Sequence, residues 1–336
     1  MVSVKDIAAK CQVSVATVSK ALNGYSDISR EKKEYINKVA REMGYYPNSA
    51  AIALKTNRTY NIGILFLDAA HNGLTNEHFA KVLQGVKEEA ETRGYDITFI
   101  NNHIGGREMT YTEHCRYRGV DGVVIACIDF EAPEVVELVN SGIPVVTIDH
   151  IFNNTTAVIS DNVRGMRDLV RQVHAHGHSR IAFIHGADSS VSRDRLASFY
   201  RTMDELSLDV PEEYTLVCQY GDTETAAKMT AKLLDLKEPP TCILYPDDFT
   251  AIGGINLIKQ RNMNIPEDIS VVGYDGISYA KALEPPLMTL EQDSDAMGRK
   301  AATSLIQMIE KPKTAIVERL VVEGHVLTGR SVKHMR

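Results

Sequence analysis

Acidic side chains recur in this 336-residue chain at positions where they could bind a polar small molecule. Asp68, Asp129, Asp149–His150, Asp247–Asp248 and Asp275 each follow a short apolar run rich in β-branched residues. Carboxylates accept hydrogen bonds from paired hydroxyl groups such as those of a polyhydroxyl compound. Since ligands of open parallel sheets lie beyond the carboxyl ends of the strands, this pattern predicts a ligand site at such an edge.

The same carboxylates have a simpler interpretation. An aspartate between a strand and a helix often only caps the helix, because its side chain accepts a hydrogen bond from the first backbone N–H groups. We expect this capping role for Asp161 and Asp248.

The sequence lacks recognisable catalytic and metal-binding motifs. His174, His176 and His178 are closely spaced, but Gly177 is predicted to end the helix that would align them. The 5 cysteines are scattered without zinc spacing, which favours reduced thiols. GxSxG, P-loop and strand-linked dinucleotide motifs do not occur. We therefore expect no enzyme activity, no cofactor and no metal.

The charge of the chain is unevenly distributed. Residues 1–58 contain 10 Lys and Arg against 5 Asp and Glu, whereas the rest contains 27 against 39. A basic segment on an acidic body indicates contact with a polyanion. The N-terminus lacks a secretory apolar segment and no apolar run would span a bilayer, so we expect a cytoplasmic protein.

The basic segment has the pattern of three short helices. Ser3 and Asp6 form a capping-box pair for the first helix, and Ser14 caps a second helix that ends near Leu22. A third helix is expected to start at Ser29. This pattern is typical of a helix-turn-helix, whose second helix enters the major groove. A small helical domain with a basic face would have the same pattern.

The whole chain resembles the lactose-repressor (LacI/GalR) family of bacterial transcription regulators. The resemblance rests on motifs in a fixed order: KDIAAKCQVSVATVSKALNG, GYYPNSAAIALKTNRT, GHSRIAFIHG, DDFTAIGGINLI and IPEDISVVGYDG. It implies an N-terminal all-α helix-turn-helix domain followed by an α/β, periplasmic-binding-protein-like clamshell of two doubly wound parallel-sheet lobes. The implied domains are 1–46 for the helix-turn-helix, 47–60 for the hinge helix and linker, and 61–336 for the effector-binding and dimerisation domain.

Alternating β-rich and helical segments after residue 60 agree with this fold. Strands are predicted at 62–67, 96–100, 122–126, 144–149, 181–185, 214–218, 241–246 and 269–274. Helices are predicted at 77–93, 131–141, 162–176, 193–206, 223–236, 249–261 and 294–309. The resemblance assigns lobe one to about 61–160 and 292–322, and lobe two to about 161–289 and 323–331.

On the second helix, the resemblance places Val15 and Ala16 at the main base-reading positions and Lys20 at a third. Alanine and valine contact a thymine methyl, and lysine donates to guanine O6 and N7. Gln12 stands where the family usually has a turn glycine, so slight backbone strain is expected there. The implied DNA contacts are Ser14, Val15, Ala16, Thr17, Ser19, Lys20, Asn23, Ser29, Tyr45, Asn48, Ala51 and Leu54.

The hinge segment 47–56, PNSAAIALKT, is too short to hold a helix alone in water and is expected to fold when docked. The resemblance implies that it pairs in the minor groove with its twin from a second subunit. Leu54 matches the leucine that wedges into the central base step. It could also be an ordinary apolar linker residue.

In the receptor, Arg195 in RLASF and Asp275 in VGYDG match the principal polar contacts of the family's effectors. Asp247 replaces a frequent asparagine, and Asp222 stands where relatives often have an aromatic ring. The implied effector contacts are Asp68, His78, Phe79, Asp129, His150, Arg195, Asp222, Asp247, Asp275 and Gln292. A sugar or sugar derivative is the expected effector, and a nucleobase or nucleoside is the alternative.

These implications define the expected function, which is that of a sequence-specific transcriptional repressor. A homodimer binds a pseudo-palindromic operator, and the effector shifts the population between DNA-competent and incompetent forms. A solute-binding protein would share the clamshell, but it would need neither the basic segment nor the hinge.

Overall fold

The computed structural model describes residues 2–23, 25–46, 53, 56, 58–67 and 73–335. The chain divides into two compact units, Met1–Thr59 and Tyr60–Arg336. Four of the predicted site residues, Asn48, Ala51, Leu54 and Asp68, lie outside the described residues.

The first unit contains three short helices around one apolar core. They are α1 (Val4–Cys11), α2 (Val15–Leu22) and α3 (Arg30–Glu42). Ser3 and Asp6 form the predicted capping box of α1, and the Ser14 side chain accepts a hydrogen bond from the Thr17 N–H at the start of α2. The core residues are Ile7, Ala8, Val18, Ala21, Ile36, Val39 and Ala40.

The second unit alternates strands and helices. The strands are β1 (Asn61–Phe66), β2 (Asp96–Phe99), β3 (His103–Ile104), β4 (Arg107–Glu108), β5 (Gly122–Ala126), β6 (Val145–Ile148), β7 (Thr156–Ser160), β8 (Ile181–Gly186), β9 (Thr215–Cys218), β10 (Cys242–Leu244), β11 (Ser270–Asp275), β12 (Met288–Glu291), β13 (Arg319–Val322) and β14 (His325–Leu327). The helices are α4 (Glu77–Thr92), α5 (Tyr111–Arg118), α6 (Pro133–Val139), α7 (Asn162–Ala175), α8 (Ser190–Glu205), α9 (Thr223–Leu234), α10 (Asp248–Gln260), α11 (Ser278–Ala282) and α12 (Ser294–Glu310). No described helix is both long and apolar enough to cross a membrane.

Two six-stranded sheets organise this unit into two lobes. The first sheet has the order β13-β7-β6-β5-β1-β2 and is parallel throughout. The second has the order β14-β12-β11-β10-β8-β9, in which only β14 is antiparallel to its neighbour. The chain crosses between the sheets after Ser160, after Glu291 and after Val322. We call the lobe of the first sheet lobe one and the other lobe two.

The predicted fold class is confirmed, and every predicted strand and helix of the receptor is present. Strands β3, β4, β7, β12, β13 and β14 were not predicted. The last four lie beside the crossings between the lobes, and β13 alternates weakly between exposed and buried residues. Such short edge segments gain their partners from the tertiary fold, which a local pattern cannot reveal.

Two glycines allow α4 and α12 to cross closely in lobe one. A Cβ atom added to Gly298 would lie 1.9 Å from the Val82 carbonyl oxygen, and one added to Gly85 would lie 2.3 Å from that of Asp295. The neighbouring core is filled by Val82, Val86, Met297 and other buried apolar residues. The backbones therefore touch where a larger residue would separate the helices.

Candidate functional site

Helix α2 presents the predicted base-reading residues to solvent. Val15 is 46% exposed and Ala16 and Lys20 are also exposed, whereas Val18 and Ala21 on the opposite side are buried in the core. The face is narrow and mostly apolar, with one cation. Small apolar side chains and a cation on such a face are able to contact base edges in a DNA major groove.

The loop from α2 to α3 folds back onto the end of α2. The Tyr25 N–H donates to the Lys20 carbonyl at 3.1 Å, and the Asn23 side chain donates to the Ser19 carbonyl at 2.6 Å. This turn brings Asp27 to Lys20, with 2.5 Å between Nζ and Oδ2. The hydrogen bond and the opposite charge raise the pKa of Lys20 and lower that of Asp27.

The other predicted contacts of the first unit have local structural roles. Ser29 is the N-cap residue of α3 but makes no side-chain cap hydrogen bond. Tyr45 packs against the core, and its N–H donates to the Ala40 carbonyl at 2.9 Å. Thr17 and Ser19 are partly buried along α2.

Arg195 is the central polar residue of the second unit. It lies on α8 and is only 4% exposed. Its Nε donates to Asn162 Oδ1 at 2.8 Å and its Nη1 donates to the Pro246 carbonyl at 2.9 Å. The guanidinium carbon lies 3.5 Å from the centre of the Tyr274 ring, a cation–π contact. These contacts hold Arg195 in place. Some of its N–H donors have no hydrogen-bond partner among the described residues.

Asp275 and Gln292 lie next to one another at the carboxyl ends of β11 and β12. Gln292 Nε2 donates to Asp275 Oδ1 at 2.7 Å. Gln292 is 7% exposed, and its Oε1 has no hydrogen-bond partner among the described residues. Burial raises the pKa of Asp275 to about 6, against the opposing effects of Arg195 and of the Gln292 hydrogen bond. A buried acceptor without a donor is costly, so this pair is suited to a ligand hydroxyl.

His78 and Phe79 begin α4 on the lobe-one side. His78 Nδ1 lies 2.8 Å from Ser294 Oγ, and burial lowers the pKa of His78 to about 4, which makes the ring neutral at pH 7. The electrostatic neighbours of His78 include Asp149 of lobe one and Arg195 of lobe two. His78 therefore lies near enough to Arg195 of the other lobe for the two side chains to interact electrostatically.

Direct hydrogen bonds join the rims of the two lobes. The Glu77 carboxylate in α4 accepts from the Ser278 N–H at 2.8 and 3.0 Å and from its hydroxyl at 2.6 Å. On another rim, Ser190 Oγ donates to the Asp149 carbonyl at 2.8 Å. Burial opposes ionisation of Glu77, but the hydrogen bonds from Ser278 and Lys81 hold its pKa below the usual value.

Three predicted residues act as helix caps or turn residues. Asp247 accepts from the Thr250 N–H at 2.6 Å at the start of α10, and Asp222 accepts from the Thr225 N–H at 2.9 Å at the start of α9. Asp129 is exposed and accepts from the Glu131 N–H at 2.9 Å. Each of these carboxylates already has a backbone partner.

The capping prediction for Asp161 is confirmed, because it accepts from the Arg164 N–H at 3.0 Å. The prediction for Asp248 was wrong. Asp248 is buried inside lobe two and accepts from the Ile277 N–H and the Thr289 hydroxyl, while its neighbour Asp247 caps the helix. Two consecutive aspartates compete for one capping position, and the sequence does not distinguish between them.

His150 stacks on an aromatic side chain of lobe one. Its ring is parallel to that of Phe130, with 4.3 Å between the centroids and 3° between the planes. Phe152 contacts the same imidazole edge-on at 4.6 Å. Burial lowers the pKa of His150, which favours the neutral ring.

Asn162 and Tyr274 were missed by the sequence analysis. Asn162 follows the capping residue Asp161, and its side chain orients Arg195 from another helix. Tyr274 precedes Asp275 in an apolar strand, so its pattern predicts only a core residue. Neither position carries a local signal, because both roles depend on where α8 lies.

The histidines near residue 176 have structural roles. His174 Nδ1 lies 3.1 Å from the His178 carbonyl, and His178 Nδ1 lies 2.9 Å from Thr241 Oγ1. Among the described residues no group of three His, Cys, Asp or Glu side chains could hold a metal ion.

Comparison with known proteins adds a family context. Residues 3–48 match the model of bacterial regulatory proteins, lacI family, and residues 170–332 match a periplasmic binding protein-like domain. The chain is 28% identical to the HTH-type transcriptional repressor PurR of Aliivibrio salmonicida, over 99% of both chains. It is 29% identical to the ribose operon repressor of Haemophilus influenzae, over 93% of both.

Solved structures share the fold. A lac repressor dimer bound to operator and the anti-inducer ONPF superposes with a TM-score of 0.81 at 23% identity, covering 99% of both chains. A complex of the transcriptional regulator CelR with cellobiose has a TM-score of 0.72 at 24% identity, covering 98% of this chain and 100% of that one. The likeness extends over both units of the chain.

Proposed function

The chain belongs to the lacI family of bacterial regulatory proteins, and from this premise we propose that it is a repressor controlled by a neutral sugar bound between its lobes. It binds a pseudo-palindromic operator as a homodimer, acts in the cytoplasm and has no enzymatic activity. The observation that carries the effector assignment is the buried group Arg195, Asp275 and Gln292.

This group has donors and acceptors in the pattern that adjacent hydroxyls require. Arg195 has donor capacity left among the described residues, while Gln292 Oε1 is an open acceptor beside the Asp275 carboxylate. A carboxylate and a guanidinium together bind a hydroxyl pair, one by accepting and the other by donating. The relative named as a ribose operon repressor and the fold relative solved with cellobiose support a carbohydrate.

A thermal-shift screen of the full chain tests the effector class. Neutral mono- and disaccharides, sugar phosphates and nucleosides are added one at a time, because a ligand that binds only the folded state raises its apparent stability. We expect a neutral sugar to raise Tm and Asp275→Asn to abolish the shift. Asp209→Asn, an exposed aspartate in lobe two, is the matched control. A shift by none of the sugars would contradict the proposal.

A nucleobase or nucleoside is the second candidate. The stacked Phe130 and His150 rings and the Phe66–Phe79 ring pair at 5.6 Å provide flat surfaces in lobe one on which a planar base could pack. In the same screen, a Tm increase with nucleosides alone would favour this candidate over a sugar.

DNA binding through the hinge is tested separately. Leu54→Ala should weaken binding to the operator while effector binding remains unchanged, since the leucine would act only in the minor groove. Fluorescence anisotropy with labelled duplexes measures the first and calorimetry the second. Equal operator affinity of the variant and the wild type would contradict the hinge model. A solute-binding protein would show no preference for any duplex.

A further inference from the structure

We infer that Asp27 is a specificity-determining residue, which holds Lys20 for reading a guanine and keeps it from the DNA phosphates. The inference rests on the base-reading role proposed for Lys20. It starts from the 2.5 Å separation between Lys20 Nζ and Asp27 Oδ2. Both side chains are about half exposed, at 48% and 51%.

The backbone makes this pair a feature of the fold and not a chance surface contact. The loop turns back where the Tyr25 N–H donates to the Lys20 carbonyl, and α3 begins shortly afterwards at Arg30. Asp27 therefore lies between Asn23 and Ser29, two of the implied DNA contacts. We expect a carboxylate at this place in the loop to lie near the phosphates of a bound duplex.

The chemistry of lysine allows the pair to survive base reading. An ammonium has three N–H donors, so one can stay on Asp27 while the other two reach guanine O6 and N7. The four-carbon side chain of lysine is flexible, and Asp27 restricts it before DNA arrives. Guanine O6 and N7 are neutral acceptors. They can therefore accept hydrogen bonds from the Lys20 ammonium even when Asp27 balances its charge.

Phosphate binding responds differently to the pair. A phosphate attracts a lysine through its charge, and an adjacent carboxylate cancels that charge while repelling the phosphate. With Asp27 present, Lys20 therefore contributes little to sequence-independent binding. Without Asp27, the freed ammonium can reach phosphates on any duplex, which adds non-specific affinity and one released counterion.

The experiment compares two duplexes bound by the full chain. The first is selected by the wild-type protein from a random-sequence library, and the second is a scrambled version of it. We expect Asp27→Asn to lower the ratio of the two affinities about three- to tenfold. Its binding to the scrambled duplex should also have a salt slope steeper by about one unit.

Glu42→Gln provides the matched control. Glu42 forms an exposed ion pair with Lys38 at 3.9 Å within α3, so the substitution removes one negative charge and one ion pair from the same unit. It should raise both affinities alike and leave their ratio unchanged. Circular dichroism checks that the helices of each variant are intact.

A double-mutant cycle separates the proposed contact from general charge repulsion. In a Lys20→Ala background, Asp27→Asn should no longer change the affinity ratio. An unchanged ratio in the wild-type background, or the same change in both backgrounds, would overturn the inference. If Lys20→Ala alone had no effect on the selected duplex, the reading role of Lys20 would fall with it. Absence of any enriched duplex would instead contradict DNA binding itself.

Discussion

At the residue scale, Gln12 has a backbone conformation that favours glycine, the residue that the family usually has at this position. It ends α1 in the left-handed region, with φ 52° and ψ 43°, and its N–H donates to the Ala8 and Ala9 carbonyls. Glycine adopts this conformation without a Cβ clash, whereas other residues carry strain of roughly 1–2 kcal/mol. The strain expected from the sequence at this turn therefore has a structural basis.

Gln12→Gly should stabilise the first unit by up to about 1 kcal/mol, because relief of strain outweighs the extra freedom of glycine in the unfolded chain. Hydrogen exchange of the α2 amides in the full chain measures this local stability. Gln12→Ala, which keeps a Cβ atom, should give no such gain. Faster exchange in the glycine variant would contradict the account.

Asp275 is the residue whose protonation should be visible in stability. Burial raises its pKa from 3.8 to about 6, so the folded state binds more protons than the unfolded state between these values. The stability contribution of this group is therefore complete below about pH 4 and is lost as the pH rises through about 6.

The free energy of unfolding of the wild type, minus that of Asp275→Asn, should fall by about 2–3 kcal/mol between pH 4 and pH 7. Urea unfolding at a series of pH values gives this difference directly, and the subtraction removes the titration of other groups. A difference that rose with pH would show that the Asp275 pKa is lowered by folding.

At the scale of elements, the crossing of α4 and α12 determines how lobe one packs. Glycine is normally unfavourable inside a helix by about 1 kcal/mol relative to alanine. Here Gly298 and Gly85 are each opposed by backbone atoms of the other helix, which cannot move aside as a flexible side chain could. Packing should therefore outweigh helix propensity at these two positions.

Gly298→Ala should accordingly lower the free energy of unfolding by about 1–3 kcal/mol, although alanine is the better helix former. Thermal and urea unfolding of the full chain measure the change. Gln307→Ala, at an exposed site on the same helix, should remain within about 0.5 kcal/mol of the wild type. A more stable Gly298→Ala protein would show that the helices can separate at no cost.

At the scale of the whole receptor unit, hydrogen bonds join the rims of the two lobes. Glu77 accepts from Ser278, and the Asp149 carbonyl accepts from Ser190. Each such hydrogen bond contributes about 0.5–1.5 kcal/mol net, so these contacts oppose opening of the lobes only moderately. This is the property that a ligand needs in order to shift a two-state equilibrium.

Glu77→Gln should weaken the rim contact with Ser278 by about 1–2 kcal/mol, because the amide keeps one acceptor but loses the charge. Hydrogen exchange at the Ser278 amide should become about tenfold faster. Glu91→Gln, on the same helix and paired with the exposed Lys87, should leave that amide unchanged. Unchanged exchange in both variants would mean that the rim contact does not hold the lobes together.

The local features of this protein could be predicted directly from its residues. Ser3, Ser14 and Asp161 cap their helices because a cap depends on residues three positions away. The apolar runs form strands, since burial on both faces of a parallel sheet requires continuous hydrophobic residues. Each family motif is also local, since it lies within a short stretch of sequence. The motifs were therefore sufficient to identify the class of regulator.

Contacts between residues that are distant in the chain could be found only in the folded protein. The tertiary structure assigned capping to Asp247 and burial to Asp248, joined Asn162 to Arg195 across two helices, and paired Glu77 with a serine 201 positions away. The hydrophobic periodicity of a segment indicates which of its side chains are buried, but it does not indicate which residues they contact. Those partners are set by how the helices and strands pack within lobe two and, for Glu77, between the two lobes.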